Sequence, residues 1–296
     1  MKKISSIKKG SREGDVRRLG VHVSAAGGLF RVLDRIRALR INAAQIFLKN
    51  ARQWNMTSRN PDDAARFRDE VGEMRLYLAA HGGYLINLCG EGGILEKSIK
   101  SLGEELSRAA LLGITDFVIH PGSHGGRGEM SAASHIACSL DRILEEEGPP
   151  SVRILLETTA GQGSSFGYRF EHLRDILAAS RYPGRLSICL DTSHVFAAGY
   201  DLSCAEGVRA SLEEFDRIIG LERLRLVHLN DSRQGYGSRV DRHEHIGMGR
   251  IGRAGFKAFL ADSRLKDIPL ILETPKFDDL KADRRNLSIV RGLLKG

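Results

Sequence analysis

The chain is poor in cysteine: Cys89, Cys138, Cys189 and Cys204 are the four among 296 residues, with no CxxC pair and no dense spacing. That excludes a zinc ribbon and a disulfide framework. It fits a reducing cytoplasm, with Cys189 a small core residue of the run SICLD. No apolar stretch reaches the roughly 18 residues that a membrane span requires. The N-terminal segment MKKISSIKKGSREGDVRR also lacks the hydrophobic centre of a signal peptide. No tandem repeat and no low-complexity segment stands out.

What the chain has in quantity is apolar core and positive charge. Hydrophobic residues make up 42% and aromatics 6%, a balance that suits one large α/β domain. Lys and Arg number 45 against 37 Asp and Glu, a formal charge of +8, and such a surface favours polyanions, nucleic acid first. Residues 1–17 read as a basic, poorly ordered arm and 18–296 as a single catalytic domain.

Short apolar runs alternate with helix-period segments along the whole length. Strands are expected near 18–23, 43–48, 76–81, 116–120, 153–157, 186–191, 224–229 and 268–273. Between them lie patterns such as LFRVLDRIRAL and FEHLRDILAAS, and several of these segments close in Gly. Eight strands with intervening helices predict a (β/α)8 TIM barrel. A doubly wound open sheet is the runner-up, but it would gather polar residues at one switch point rather than at most strand ends. The longer loops, at 82–95, 121–131, 158–170 and 230–250, would form the rim at the C-terminal ends of the strands, the active-site face of a barrel.

Most of those runs end in a ligand-type residue. His81, His120, Glu157, Asp191, His228 and Glu273 close strands, His194 follows Asp191 into the loop, and Asp241 and His243 lie one residue apart in DRH. One histidine at a strand end is more often a hydrogen-bonded edge residue than a ligand; five of them beside four carboxylates reverse that reading. Nitrogen mixed with oxygen, without thiolate, suits Zn²⁺ or Mn²⁺ in an open catalytic site. The set is large enough for two or three ions, and paired ions with a bridging carboxylate suit phosphoryl displacement. His22 is read as an orienting partner of the rim, and His124, His135, His172 and His245 as loop or helix-surface histidines.

At these residues the chain resembles endonuclease IV, the metal-dependent apurinic/apyrimidinic endonuclease family of DNA base-excision repair. The matching strings, in family order, are HVSAAGG at 22–28, KNARQW at 49–54, YLINL at 84–88, HPGSH at 120–124, ETTAGQG at 157–163, DTSHVFAAGYD at 191–201, HLNDS at 228–232, GSRVDRHEHIGMGRIG at 237–252 and LILETP at 270–275. The resemblance implies three zinc ions. His81, His120 and Glu157 would hold one; Glu157 would bridge to a second, held also by Asp191, His228 and Glu273; His194, Asp241 and His243 would hold the third.

A hydroxide held between the first two ions, at Glu157 and Glu273, would attack the phosphorus 5′ of an abasic site, leaving a 3′-hydroxyl and a 5′-deoxyribose phosphate. Arg52, Tyr84 and Leu85 occupy the positions from which the family reaches into the duplex, so double-stranded DNA carrying abasic sites is the expected partner, with a monomer sufficient and no membrane involved. Gly82-Gly83, where the family carries bulkier residues, predicts a more mobile wedge loop with fewer DNA contacts. DTSH in place of the commoner DTCH should leave the metals alone. The competing readings are a metal-dependent sugar isomerase or epimerase of the xylose-isomerase-like barrels, distinguished by metal count, and a non-catalytic lesion binder, distinguished by the absence of a nick.

Overall fold

A computed structural model describes residues 17–57, 60–276 and 280–295. Of the arm expected over 1–17, all but Arg17 lies outside them. Arg17 donates to the carbonyls of Leu260 and Leu265 at 3.0 and 2.9 Å.

Eight parallel strands close into a barrel: β1 Leu19–His22, β2 Ala43–Phe47, β3 Tyr77–His81, β4 Asp116–Ile119, β5 Arg153–Glu157, β6 Leu186–Asp191, β7 Leu224–His228 and, after a two-stranded ribbon of β8 Asp231–Ser232 with β9 His243–Glu244, β10 Leu270–Leu272. The expected strands are all present; β4 and β10 stop one residue short of His120 and Glu273. Around them lie α1 Leu29–Leu39, α2 Pro61–Glu73, α3 Gly92–Leu111, α4 Ala132–Glu146, α5 Phe170–Ala179, α6 Thr192–Ala198, α7 Ala205–Ile218, α8 Gly252–Ala261 and α9 Lys281–Leu293. No helix among the described residues is long and apolar enough to cross a membrane.

The helices follow from their spacing. In α1 the buried residues are Leu29, Val32, Leu33, Ile36 and Leu39, one apolar stripe pressed on the barrel. The helix stops where Arg40 turns left-handed at φ 52°, its N–H bonding to the Arg37 carbonyl and that of Ile41 to the Ile36 carbonyl. Asn60 starts α2 by accepting from the Asp62 amide, with Pro61 at the first helical position.

Two departures bear on the site. The segment after Asp191 is not a loop: Asp191 accepts the His194 amide at 2.9 Å and so caps α6, which Gly199 ends at φ 108°. His172 is not on the surface. It is buried in α5, stacked on Phe166 at 4.1 Å, with Nε2 3.3 Å from Glu129.

Strand side chains alternate, so positions two apart share the barrel interior. One interior layer is apolar: Ala43, Ala79, Val118, Leu155, Cys189, Leu226 and Ile271 form a cluster of their own, separate from the larger core between strands and helices. Two residues further towards the C-terminal ends come Gln45, His81, His120, Glu157, Asp191, His228 and Glu273, and β1 adds His22 in register with Gln45. Every barrel strand therefore delivers one polar side chain to a single ring at the rim.

Candidate metal centre

Within that ring the donor atoms fall into three groups, each with its atoms within 4.8 Å of one another: His81, His120 and Glu157; Glu157, Asp191, His228 and Glu273; and Asp191, His194 and His243. Glu157 belongs to two groups. Its Oε2 lies 3.0 Å from His81 Nε2 and 3.1 Å from His120 Nε2, while Oε1 lies 2.9 Å from His228 Nδ1. Asp191 is shared as well, which the spacing of DTSH did not reveal. Its Oδ2 is 3.4 Å from His243 Nε2 and 4.0 Å from His228 Nδ1. Asp241 completes the third group from the loop before β9, 3.2 Å from His194 Nε2 and 3.6 Å from His243 Nε2.

These separations suit small cations. Nitrogen and oxygen ligands at about 2.0–2.1 Å from a tetrahedral ion stand about 3.3 Å apart. Three carboxylates in that ring, Glu157, Asp191 and Glu273, with Asp241 beside them, also need positive charge to offset them. Tautomers are set for the same purpose. His81 Nδ1–H donates to the Gly82 carbonyl at 2.8 Å, His194 Nδ1–H to Thr158 O at 2.8 Å and His243 Nδ1–H to Glu273 O at 3.0 Å. Each ring thus turns Nε2 to the centre.

Protonation follows from the crowding. Burial pushes Glu157 up, but His228 and His120 outweigh it and hold the carboxyl well below its usual range. Glu273 and Asp241 are likewise depressed against burial, mainly by His228 and His194 respectively. Burial disfavours the His81 and His194 cations, yet Glu157 at His81 and Asp191 with Asp241 at His194 raise both. His228 is raised too, its burial overcome by Cys189, Glu273 and Glu157.

The loop that carries Asp241 and His243 is pinned from below. Asp231, fully buried, accepts the amides of Gly247 and Gly249 on Oδ2, both at 2.9 Å, and that of Ile251 on Oδ1 at 3.0 Å. A Cβ at Gly249 would lie 2.4 Å from the Ser232 carbonyl, so only glycine admits this approach. Asn230, to which the sequence reading gave no role, donates to Asp191 Oδ2 at 2.6 Å and accepts the Glu273 amide at 2.7 Å.

A cavity of about 810 Å³ opens beside the ring, lined by His22, Phe47, Arg52, Tyr84, Glu273 and Lys276 among others. Tyr84 is 60% exposed, its ring edge-on to Phe47 at 5.4 Å, and Arg52 is exposed across the mouth. The Tyr84 amide donates to the Ala51 carbonyl at 2.8 Å, which ties the two loops together. Gly82 and Gly83 are buried, and the Gly82 amide bonds to Val118 O at 2.8 Å. A Cβ on Gly83 would stand 3.2 Å from the Ala51 carbonyl. The pair thus packs at the base of the loop that carries Tyr84.

Residues 33–291 match a family described as "Xylose isomerase-like TIM barrel". A relative from Chloroflexus aurantiacus, named "Probable endonuclease 4", is 44% identical over 281 residues, 94% of this chain and 99% of its own. The crystal structure of endonuclease IV from Thermus thermophilus superposes with a TM-score of 0.84 at 39% identity, covering 94% of this chain and 99% of that one. D-Psicose 3-epimerase from Clostridium cellulolyticum reaches 0.68 at 13% identity over 94% and 99% of the two chains, and shares the fold alone.

Proposed function

The chain belongs to the endonuclease IV family, and from that membership we propose that it is an apurinic/apyrimidinic endonuclease which hydrolyses the phosphodiester 5′ to an abasic site in double-stranded DNA. The products are a 3′-hydroxyl and a 5′-deoxyribose phosphate. The observation that carries the reading is the assembly of nine nitrogen and oxygen donors into groups that share Glu157 and Asp191. Three zinc ions fit that set: His81, His120 and Glu157 hold one; Glu157, Asp191, His228 and Glu273 a second; His194, Asp241 and His243, with Asp191 beside them, the third. Bound there, zinc supplies Lewis-acid charge for the phosphate oxygens and a nucleophile at neutral pH.

The chain's own residues do the rest. Depressed carboxylates keep the donors ionised, and the fixed imidazoles aim one nitrogen each inward. Arg52, Tyr84 and Leu85 enter the duplex as a joined pair of loops; unstacking a step costs a few kcal/mol, less where a base is missing. An excess of cationic side chains steers the phosphate backbone in. Acting on the chromosome, the enzyme works in the cytoplasm and as a monomer.

The deciding experiment pairs elemental analysis of the purified protein with incision of a duplex carrying one abasic site. About three zinc ions per chain, with EDTA-sensitive incision on the 5′ side, is the expected result. One or two ions with no nick would return the reading to the sugar epimerases of the same fold. For the wedge, Arg52→Ala should weaken binding to the damaged duplex and lower the salt slope by about one; an unchanged affinity removes Arg52 from the DNA contact.

A further inference from the structure

Gln45 stands in the polar ring yet belongs to none of the donor groups. It is fully buried on β2, in register with His22 on one side and Ala79 on the other. Its amide touches two of the donors at once. Nε2 lies 2.7 Å from Glu273 Oε1, and Oε1 lies 2.8 Å from His228 Nε2.

Hydrogen-bonding chemistry leaves one arrangement. An ionised carboxylate only accepts, so the amide must turn its NH₂ to Glu273. Its carbonyl then faces His228, and a carbonyl also only accepts. His228 must therefore carry its proton on Nε2, which leaves the Nδ1 lone pair facing Glu157 Oε1 at 2.9 Å and Glu273 Oε2 at 3.3 Å. His22 packs against the same pair. Its Nδ1 lies 3.0 Å from Glu273 Oε1, and its buried Nε2 has no hydrogen-bond partner among the described residues. Gln45 Nε2 also lies 3.0 Å from that Nδ1, within reach of the second amide proton. The Gln45 amide N–H thus holds Glu273 Oε1 and turns Oε2 inward.

We propose that Gln45 is the positioning residue for the group formed by Glu157, Asp191, His228 and Glu273, fixing the His228 tautomer and the Glu273 carboxylate through one amide. The inference rests on that group holding an ion. His81, His194 and His243 have their distal N–H groups held by main-chain carbonyls, which no side-chain substitution removes. His228 depends on a side chain, so a change at position 45 acts on one ion alone.

The test uses the full-length, zinc-loaded protein and its Gln45→Met variant, which keeps length and volume but loses both hydrogen bonds. In chelator competition the variant should hold one of three zinc ions about 10–100-fold more weakly, as outer hydrogen-bond partners of metal ligands do when mutated. The other two should be unchanged. Long-range ¹H–¹⁵N spectra of the zinc-loaded wild type, which do not depend on the variant folding, should show His228 bound through Nδ1 with a slowly exchanging proton on Nε2. Uniform weakening of all three ions, unchanged affinity in the variant, or His228 bound through Nε2 would each overturn the role of Gln45 while the metal reading stands. A wild type that takes up no zinc would overturn both.

Discussion

Two layers of the barrel interior, two residues apart along each strand, are built on the same strands and are almost equally dry. Leu155 and Glu157 are both fully buried, as are Leu226 and His228. In the lower layer burial itself stabilises, at about 25 cal/mol per Å² of apolar surface removed from water. In the upper layer the same burial penalises each charge, and the ring persists through mutual pairing of imidazole with carboxylate. Fold stability and chemistry are thus carried by separate rows of the same sheet.

The sharpest break is a matched pair of substitutions on β5. Glu157→Gln should lower incision by about 10³-fold or more, since each tenfold in rate corresponds to about 1.4 kcal/mol of barrier and loss of metal-ion catalysis costs several kcal/mol. Circular dichroism and binding to an abasic duplex should stay as in the wild type; near-normal turnover would sink the mechanism. Leu155→Ala should do the reverse. It should cost about 2–5 kcal/mol in denaturant unfolding while zinc content and incision at low temperature persist.

A finer separation comes from pH, measured as the melting temperature of chelator-treated protein. His81, His194 and His228 have raised folded values, so their stabilisation is complete below the ordinary value of about 6.5 and is lost as pH rises through the folded values. Glu157, Glu273 and Asp241 are depressed, so theirs is present above about 4 and is lost as pH falls through the folded values. The metal-free protein should therefore melt lower at pH 9 than at pH 6. Zinc should remove that fall, because it takes the place of the protons. A flat profile without metal would show that the ring does not couple to folding.

Much of this is legible in the amino-acid sequence. Strand ends could be read because apolar runs broke at His, Asp or Glu, and the nine donors because their types had no thiolate among them. Gln45 escaped because its run does not stop there: Ile46 and Phe47 continue it, and Ile46 packs outward in the core between strands and helices. Register held the signal, since Ala43 and Gln45 pair with Tyr77 and Ala79 on the adjoining strand, in the same alternation that leads to His81. His172 was misplaced because Glu129 and Phe166, which cover it, come from loops whose paths no local pattern fixes. The short helix after Asp191 did leave marks, an Asp cap and a closing Gly, but seven residues are too few for periodicity to speak.

Closure of the barrel has a consequence for how long the centre can hold what it binds. A closed sheet has no edge strand to fray, so the backbone that carries His81, Glu157, Asp191 and His228 stays in place for as long as the barrel does. Asp241 and His243 sit instead on a stretch outside the barrel sheet, held by a two-residue ribbon, the Asp231 clamp and loop bonds such as those of the Arg239 amide to Ala197 O and the Asp241 amide to Gln162, and these can open without the barrel. The three groups therefore have different residence times built into them. Zinc bound there should pass to a chelator from the loop-side group first and from the strand-end groups more slowly.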